Sequence, residues 1–472
     1  MTTQSTDTEA YRDKVSTIDE QGKRVWIYPK KPKGPLTTAR GIVSLILLGF
    51  LFAAPFIKIN GHPFLLFDLI HRKFILFGLV FWPQDFFLFV LATISLVVFI
   101  ILFTVILGRL WCGWACPQTI FMEMVFRKIE YWIEGDSRKQ IILANQSWNG
   151  AKIVKKTLKH IIFYAISFLI GNIFLAYIIG VDQLFNIITD PPSEHLFGLF
   201  AMIVFSSLFY WVFAFFREQV CTMVCPYGRL QGVLLDPNSI VVAYDFKRGD
   251  PKGKLVKNQV RDKLGDCVDC RQCVDVCPTG IDIRNGTQLE CINCTACIDA
   301  CNTVMKKLNW PKGLIKYASY NGILHGRKLK FSPRIAGYTA ILFLLLAITT
   351  IFMFNRSPVE TTILRTPGLM YEQTEDGYIA NLYNLKVLNK TYQDKSIQLK
   401  LKSPQGNIRM IGGDLVAPQN GLSESAFFVE ISPENIKFAR TPILIEIYSD
   451  DNLLEKVRTS FIGPDPRQNK NE

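Results

Sequence analysis

Apolar residues run in long blocks as far as residue 355 of this chain and in short alternating runs after it. Residues 85–107, 160–180, 196–216 and 336–355 each meet the requirement for a membrane-spanning helix, about 20 mostly apolar residues. Residues 41–57 form a shorter block without charge and are taken as a fifth span. The stretch 63–82 is apolar but broken by Asp68, His71, Arg72 and Lys73, so an interfacial or re-entrant segment is expected there. Beyond residue 360 the pattern shifts to strand-like runs at 378–387, 397–401, 427–431 and 443–448, punctuated by Pro404-Gln405-Gly406, Gly412-Gly413-Asp414 and Asn420-Gly421. Such spacing predicts a β-sandwich of about 100 residues. That region has no cysteine, so an immunoglobulin-like core there would lack an intersheet disulfide.

Charge orients the spans. Eight Lys and Arg precede residue 41, nine against four acids lie in 108–159, and nineteen against eleven lie in 217–335. The loop 181–195 has none, only Asp182, Asp190 and Glu194. Because basic loops stay inside, the expected topology has an inner N-terminus, five crossings and residues 356–472 outside. Lys58, Arg72 and Lys73 dissent on the outer side. The polar first 35 residues show no cleavable leader pattern, so the first span is expected to act as an uncleaved anchor. The net charge of +13 then reports topology. It is spread over loops with no recognition motif, which argues against nucleic-acid binding.

All twelve cysteines fall in segments placed at the inner side, where metal ligation or free thiols are expected rather than disulfides. Eight form two C-x2-C-x2-C-x3-C runs, Cys267-Cys270-Cys273-Cys277 and Cys291-Cys294-Cys297-Cys301. This is the spacing of a two-cluster [4Fe–4S] ferredoxin module, in which the fourth cysteine of each run ligates the other cubane. Cys267, Cys270, Cys273 and Cys301 are therefore assigned to one cluster, and Cys291, Cys294, Cys297 and Cys277 to its neighbour. Zinc ribbons pair C-x2-C units across a longer gap. Gly265, Gly280 and Gly286 would let backbone amides approach the sulfurs. Asn302 replaces the proline that follows the first run.

The other four cysteines form a weak internal repeat. Spans one and two end in Arg109-Leu110-Trp111-Cys112-Gly113-Trp114-Ala115-Cys116-Pro117, and spans three and four in Arg217-Glu218-Gln219-Val220-Cys221-Thr222-Met223-Val224-Cys225-Pro226. Each pair stands at the inner rim of the membrane. The proline disfavours helix in the residue before it, which places Cys116 and Cys225 at a helix break. Cys112, Cys116, Cys221 and Cys225 are the candidate catalytic and metal-binding residues. They could hold copper as Cu(I), ligate another metal centre, exchange electrons as dithiols, or simply pack. Arg109, Arg127, Arg217 and Arg229 flank them as membrane anchors or thiolate stabilisers. His62, His71, His160, His195 and His325 show no ligand spacing and are read as structural. No glycine-rich nucleotide loop is present.

The expected fold is a multi-domain membrane protein. Residues 1–38 form a disordered cytoplasmic tail, 39–235 carry transmembrane helices one to four with both C-x3-C-P motifs, and 236–335 form a cytoplasmic ferredoxin-like α+β double [4Fe–4S] module. Residues 336–355 are the fifth span of an α-helical transmembrane bundle, and 356–472 an extracytoplasmic immunoglobulin-like β-sandwich.

Phe81-Trp82-Pro83-Gln84-Asp85-Phe86-Phe87, the 111–119 block, Cys225-Pro226-Tyr227-Gly228-Arg229 and the 265–301 module together resemble the CcoG/FixG/RdxA family, polyferredoxin-like cytochrome c oxidase accessory proteins. The resemblance implies a multi-pass protein of the bacterial inner membrane that acts in cbb3-type oxidase assembly. It implies an oxidoreductase, a cupric reductase making Cu(I) for insertion, with two [4Fe–4S] clusters and copper. Oxidase subunits or copper chaperones and a cytoplasmic electron donor would be partners, and a homodimer is compatible with it. Related membrane ferredoxins share the C-x3-C-P halves, so a respiratory conduit from quinol to a partner enzyme is one alternative. A non-redox assembly scaffold is another.

Overall fold

The computed structural model describes residues 17–19, 21–59, 61–69, 72–255, 263–326, 332–368, 370–413, 415–449 and 452–464. The chain forms two compact units, residues 1–78 with 89–348, and residues 79–88 with 349–472.

In the first unit, α1 (Pro35–Ala53) leads to a hairpin of β1 (Leu65–Asp68) and β2 (Lys73–Leu76). This segment forms short strands, with Leu65 to Asp68 pairing antiparallel with Lys73 to Leu76. His71 lies outside the described residues. Next come α2 (Phe86–Leu107), the short helices α3 (Leu110–Trp114) and α4 (Pro117–Ile120), then α5 (Arg127–Ile133), α6 (Ser137–Asn145) and α7 (Gly150–Ile179). After α8 (Val181–Thr189), α9 (Leu196–Trp211) returns alongside α7, and α10 (Pro226–Leu234) opens the cysteine-rich part. There β3 (Val241–Tyr244) pairs antiparallel with β4 (Ile315–Ala318), and α11 (Gln272–Asp275) packs on α12 (Ala296–Lys307). The last helix is α13 (Pro333–Phe354).

Five helical stretches are long and apolar enough to cross a membrane: Pro35–Phe56, Pro83–Leu107, Gly150–Ile179, Pro192–Phe216 and Pro333–Phe354. The third begins ten residues before the apolar block, because Asn149 caps it by accepting a hydrogen bond from the Lys152 amide and lysines can coat an emerging helix end. Phe121, Phe126, Phe163, Phe209 and Phe213 interlock α7, α9 and the turn after α4, with Phe126 and Phe213 stacked at 4.8 Å.

The expectation of a free tail over residues 1–38 does not hold for its described part; residues 1–16 lie outside the described residues. The Lys30 amide donates to the Asp275 carbonyl, the Lys31 amide to Asp136, and the Tyr131 hydroxyl to the Pro29 carbonyl. Asp299 of α12 then accepts from the amides of Leu36 and Thr37 and from the Thr37 hydroxyl. A carboxylate there satisfies orphan donors at the start of α1 and complements its dipole. The extended Pro-rich segment leaves its backbone donors unused, and these acids take them.

The second unit is a two-sheet sandwich. One sheet has the order β8 (Gly406–Ile411), β10 (Leu422–Ile431), β6 (Ile379–Asn389), β5 (Val359–Arg365). The other has β9 (Leu415–Ala417), β7 (Lys395–Ser403), β11 (Arg440–Ser449), β12 (Asn452–Ile462). Tyr383 stacks on Phe427 at 5.5 Å in a core shared with Leu385, Val429, Ile445 and Phe461. Within this unit Asp85 is almost fully buried and accepts from Arg356 and from Lys390, the latter at 2.7 Å.

Candidate metal centres

Each cysteine loop is bent by the same backbone device. Asp269 and Arg271 flank Cys270 with φ of 49° and 54°, and Asn293 and Thr295 flank Cys294 with φ of 53° and 67°. Left-handed residues on both sides of the middle cysteine curl each run around a point, and successive amides in such curls face inward. Short helices follow, starting after Arg271 and Thr295, and α12 carries both Cys297 and Cys301.

The curls bring together the two sets expected from the spacing. Cys267, Cys270, Cys273 and Cys301 line one cavity, with Met305, Leu314 and Ile315 as apolar wall. Cys277, Cys291, Cys294 and Cys297 line a second cavity with Cys273, Ile281 and Ile292. The amides of Thr279, Gly280 and Ile281 point at Cys277 and, of the three glycines singled out, Gly280 (φ 73°) makes that approach. Gly265 serves close backbone contact instead, since a β-carbon there would lie 2.4 Å from the Gly249 carbonyl carbon. Burial pushes the thiols of Cys273, Cys291 and Cys301 up to about 12 and that of Cys294 up to about 11. A soft metal that displaces those protons inverts this penalty. Four thiols in a dry, apolar setting with inward amides fit a [4Fe–4S] cubane at each place.

The two C-x3-C-P segments also share a design. Cys116 and Cys225 are both extended (ψ 124° and 110°), and each precedes a proline at the first position of a helix. Cys221 sits in a π-helical turn, Val220–Val224. The segments meet: Arg109 donates to the carbonyls of Gly228 and Leu289, and the Cys112 thiol donates to Gln231 Oε1 at 3.4 Å. Burial and neighbouring thiols push Cys112 up to about 11 and Cys221 up to about 12, and each of the two feels the charge of Cys116 and Cys225. Arg127 and Arg217 do not serve as thiolate partners. They are held by Glu123 at 2.9 Å and Glu130 at 2.8 Å in a buried ionic network with Glu218. Partners on every side offset the cost of burying these charges.

The rim also touches the second cysteine loop. A β-carbon on Gly113 would lie 2.4 Å from the Ile292 carbonyl oxygen, and the Trp114 indole donates to the Tyr317 hydroxyl, which donates to the Asn293 carbonyl. Arg40 of α1 donates to the Gly113 carbonyl at 2.6 Å.

Among the histidines, His160 shares a 2.8 Å hydrogen bond with the Tyr210 hydroxyl. His195 gathers with Asp190 and Glu194, a grouping missed in the sequence because a 3-10 turn, Pro192–His195, brings them together.

Residues 216–320 match a profile described as a 4Fe-4S dicluster domain, and residues 89–140 one described as a 4Fe-4S binding domain. Residues 349–464 match the "IG-like fold at C-terminal of FixG". Protein RdxB of Cereibacter sphaeroides is 33% identical over 406 residues, covering 82% of this chain and 84% of RdxB. The chain belongs to the FixG/RdxA family. Its nitrogen fixation protein FixG from Rhizobium meliloti is 32% identical over 435 residues, covering 83% of this chain and 82% of FixG. The crystal structure of a FixG-related protein from Vibrio parahaemolyticus covers 23% of this chain and 97% of its own, at 20% identity and a TM-score of 0.19. As a FixG/RdxA family member, the chain is an iron–sulfur membrane protein with two [4Fe–4S] clusters and an immunoglobulin-like C-terminal domain.

Proposed function

We propose that this chain is a membrane-anchored electron carrier of cbb3-type cytochrome oxidase assembly that reduces Cu(II) to Cu(I) for insertion. The observation that carries this reading is the direct contact of Gly113 with Ile292, which fastens the Cys112/Cys116 segment to the loop of Cys291, Cys294 and Cys297. The clusters, when bound, supply one-electron storage. The chain's own residues do the rest. Arg109 and Gln231 fix the two C-x3-C-P segments against each other, and Cys112, Cys116, Cys221 and Cys225 present soft sulfur that favours Cu(I) over Cu(II). Each turnover takes one electron from a cytoplasmic one-electron carrier and gives it to one Cu(II). The basic loops support an inner location for the rim and the cysteine module and an outer one for the immunoglobulin-like domain, where oxidase subunits or a copper chaperone would dock.

The test is Cu(II) reduction by anaerobically purified, reduced protein, read with a Cu(I)-specific chelator. Cu(I) should form with wild type and fall at least tenfold when Cys112 and Cys116, or Cys221 and Cys225, are serine. Equal rates in all three would remove the rim from the reaction. No Cu(I) from reduced wild type would favour an electron conduit without metal cargo.

A further inference from the structure

We propose that Cys112, Cys116, Cys221 and Cys225 jointly ligate a third [4Fe–4S] cluster, built half from each C-x3-C-P segment. This deepens the reading above and rests on it in one respect, that the rim is where electrons leave the chain.

The two C-x3-C-P segments converge. Arg109 binds the Gly228 carbonyl and Cys112 reaches Gln231, so α3 lies on α10. A β-carbon on Gly228 would lie 2.9 Å from the Cys221 carbonyl oxygen and 3.9 Å from Cys225 Cβ. Both thiol pairs therefore flank one helix start. Four thiols are a full ligand set for a cubane, and neither pair alone is.

Spacing separates a cluster from a single ion. Four sulfurs around one ion at about 2.3 Å stand about 3.8 Å apart. Among the described residues, the group of three or more Cys, His, Asp or Glu ligand atoms lying within 4.8 Å of one another is Asp190, Glu194 and His195. No three rim thiols are that close, and neither are three of the cysteines around either cavity of the dicluster domain. The rim thiols thus do not stand as close as four ligands of one ion would, and neither do the thiols of the two cubane cavities.

The surroundings supply unused donors. Arg109 Nε, Gln118 Nε2, Thr119 Oγ1 and Gln231 Nε2 are buried without a hydrogen-bond partner, and Thr119 is 3% and Gln231 0% exposed. Gln118 and Thr119 line a cavity together with Cys221, Pro278 and Ile292, bounded by Glu123, Arg217 and Glu218 of the buried ionic network. Buried donors left unpaired are costly, and an anionic cluster whose sulfurs accept hydrogen bonds would satisfy them. The segment 89–140, similar to 4Fe-4S binding domains, contains only Cys112 and Cys116, so it needs the second pair from outside. Copper would then take its electron at the sulfur shell of this cluster rather than bind directly to the four thiolates.

The experiment measures iron, acid-labile sulfide and copper in full-length protein purified anaerobically, together with the EPR spectrum after dithionite reduction. Wild type should carry about 12 iron atoms per chain, three cubanes of four. C112S/C116S, C221S/C225S and the quadruple variant should each fall to about 8, because one cluster needs both pairs. The EPR signals of the dicluster domain should persist in every variant, which shows that it still folds. Wild type at about 8 iron atoms, or losses that add between the pairs, would overturn the proposal. With wild type at 8 and copper bound at the rim, the reductase reading would stand alone. Twelve irons without Cu(II) reduction would leave the cluster and remove the reductase.

Discussion

Gly113 and Ile292 touch backbone to backbone: a β-carbon on Gly113 would lie 2.4 Å from the Ile292 carbonyl oxygen. Gly113 of α3 lies between Cys112 and Cys116 in sequence, and Ile292 follows Cys291. Neither backbone can yield without moving the thiols beside it. Gly113→Ala should cost about 1–3 kcal/mol as overpacking. It should also shift the EPR signature of the cluster at Cys291, Cys294 and Cys297, leaving that at Cys267, Cys270 and Cys273 unchanged. Unchanged spectra with full stability would show that the contact is not tight.

The crossover of ligands has its own variant. Cys277 follows Cys273 in sequence, yet it lines the cavity of Cys291, Cys294 and Cys297. Cys277→Ser should therefore damage that cluster, with iron falling by up to about four atoms per chain. Loss of the EPR signal from the cluster at Cys267, Cys270 and Cys273 instead would reverse the assignment.

In the C-terminal unit, Asp85 neutralises two buried cations, and Arg356 also donates to the Val80 carbonyl. Asp85→Ala leaves Arg356 without its carboxylate and Lys390 with only Glu360. Removing one partner of a buried pair costs about 3–5 kcal/mol. The exposed pair of Lys58 and Asp182 should show the contrast, with Asp182→Ala costing about 1 kcal/mol or less. Urea unfolding of the full chain in detergent measures both, and similar values for the two would refute a structural role for the buried group.

Sidedness rests on the lysines and arginines of the loops. Reporter fusions at Gly322 and Asn420 should report opposite sides of the membrane. Reports from the same side would overturn the topology.

Much of this architecture is legible in the sequence because its signals are local. Five apolar blocks become five helices, and eight cysteines at fixed spacing converge on two cavities. Strands with apolar alternation, such as β6, are visible, whereas β12 (Asn-Leu-Leu-Glu-Lys-Val-Arg-Thr-Ser-Phe-Ile) hides because only Phe461 is fully buried. The hairpin at 65–76 reads as a broken apolar block because β1 and β2 lack polar alternation. What the chain does not disclose is non-local. Asp299 capping α1, the docking of residues 28–31, and Gly113 against Ile292 all join positions more than 100 residues apart. The left-handed turns at Asp269 and Asn293 carry a readable cue, since Asp and Asn tolerate that conformation. Arg271 and Thr295 carry none.

The most direct test of the account follows cluster oxidation and copper reduction in one anaerobic sample. Protein reduced with dithionite and freed of excess reductant is mixed with Cu(II), while EPR records the reduced-cluster signal and a chelator counts Cu(I). The cluster signal should disappear as one Cu(I) forms for each electron lost. Clusters that stay reduced while Cu(II) persists would contradict it.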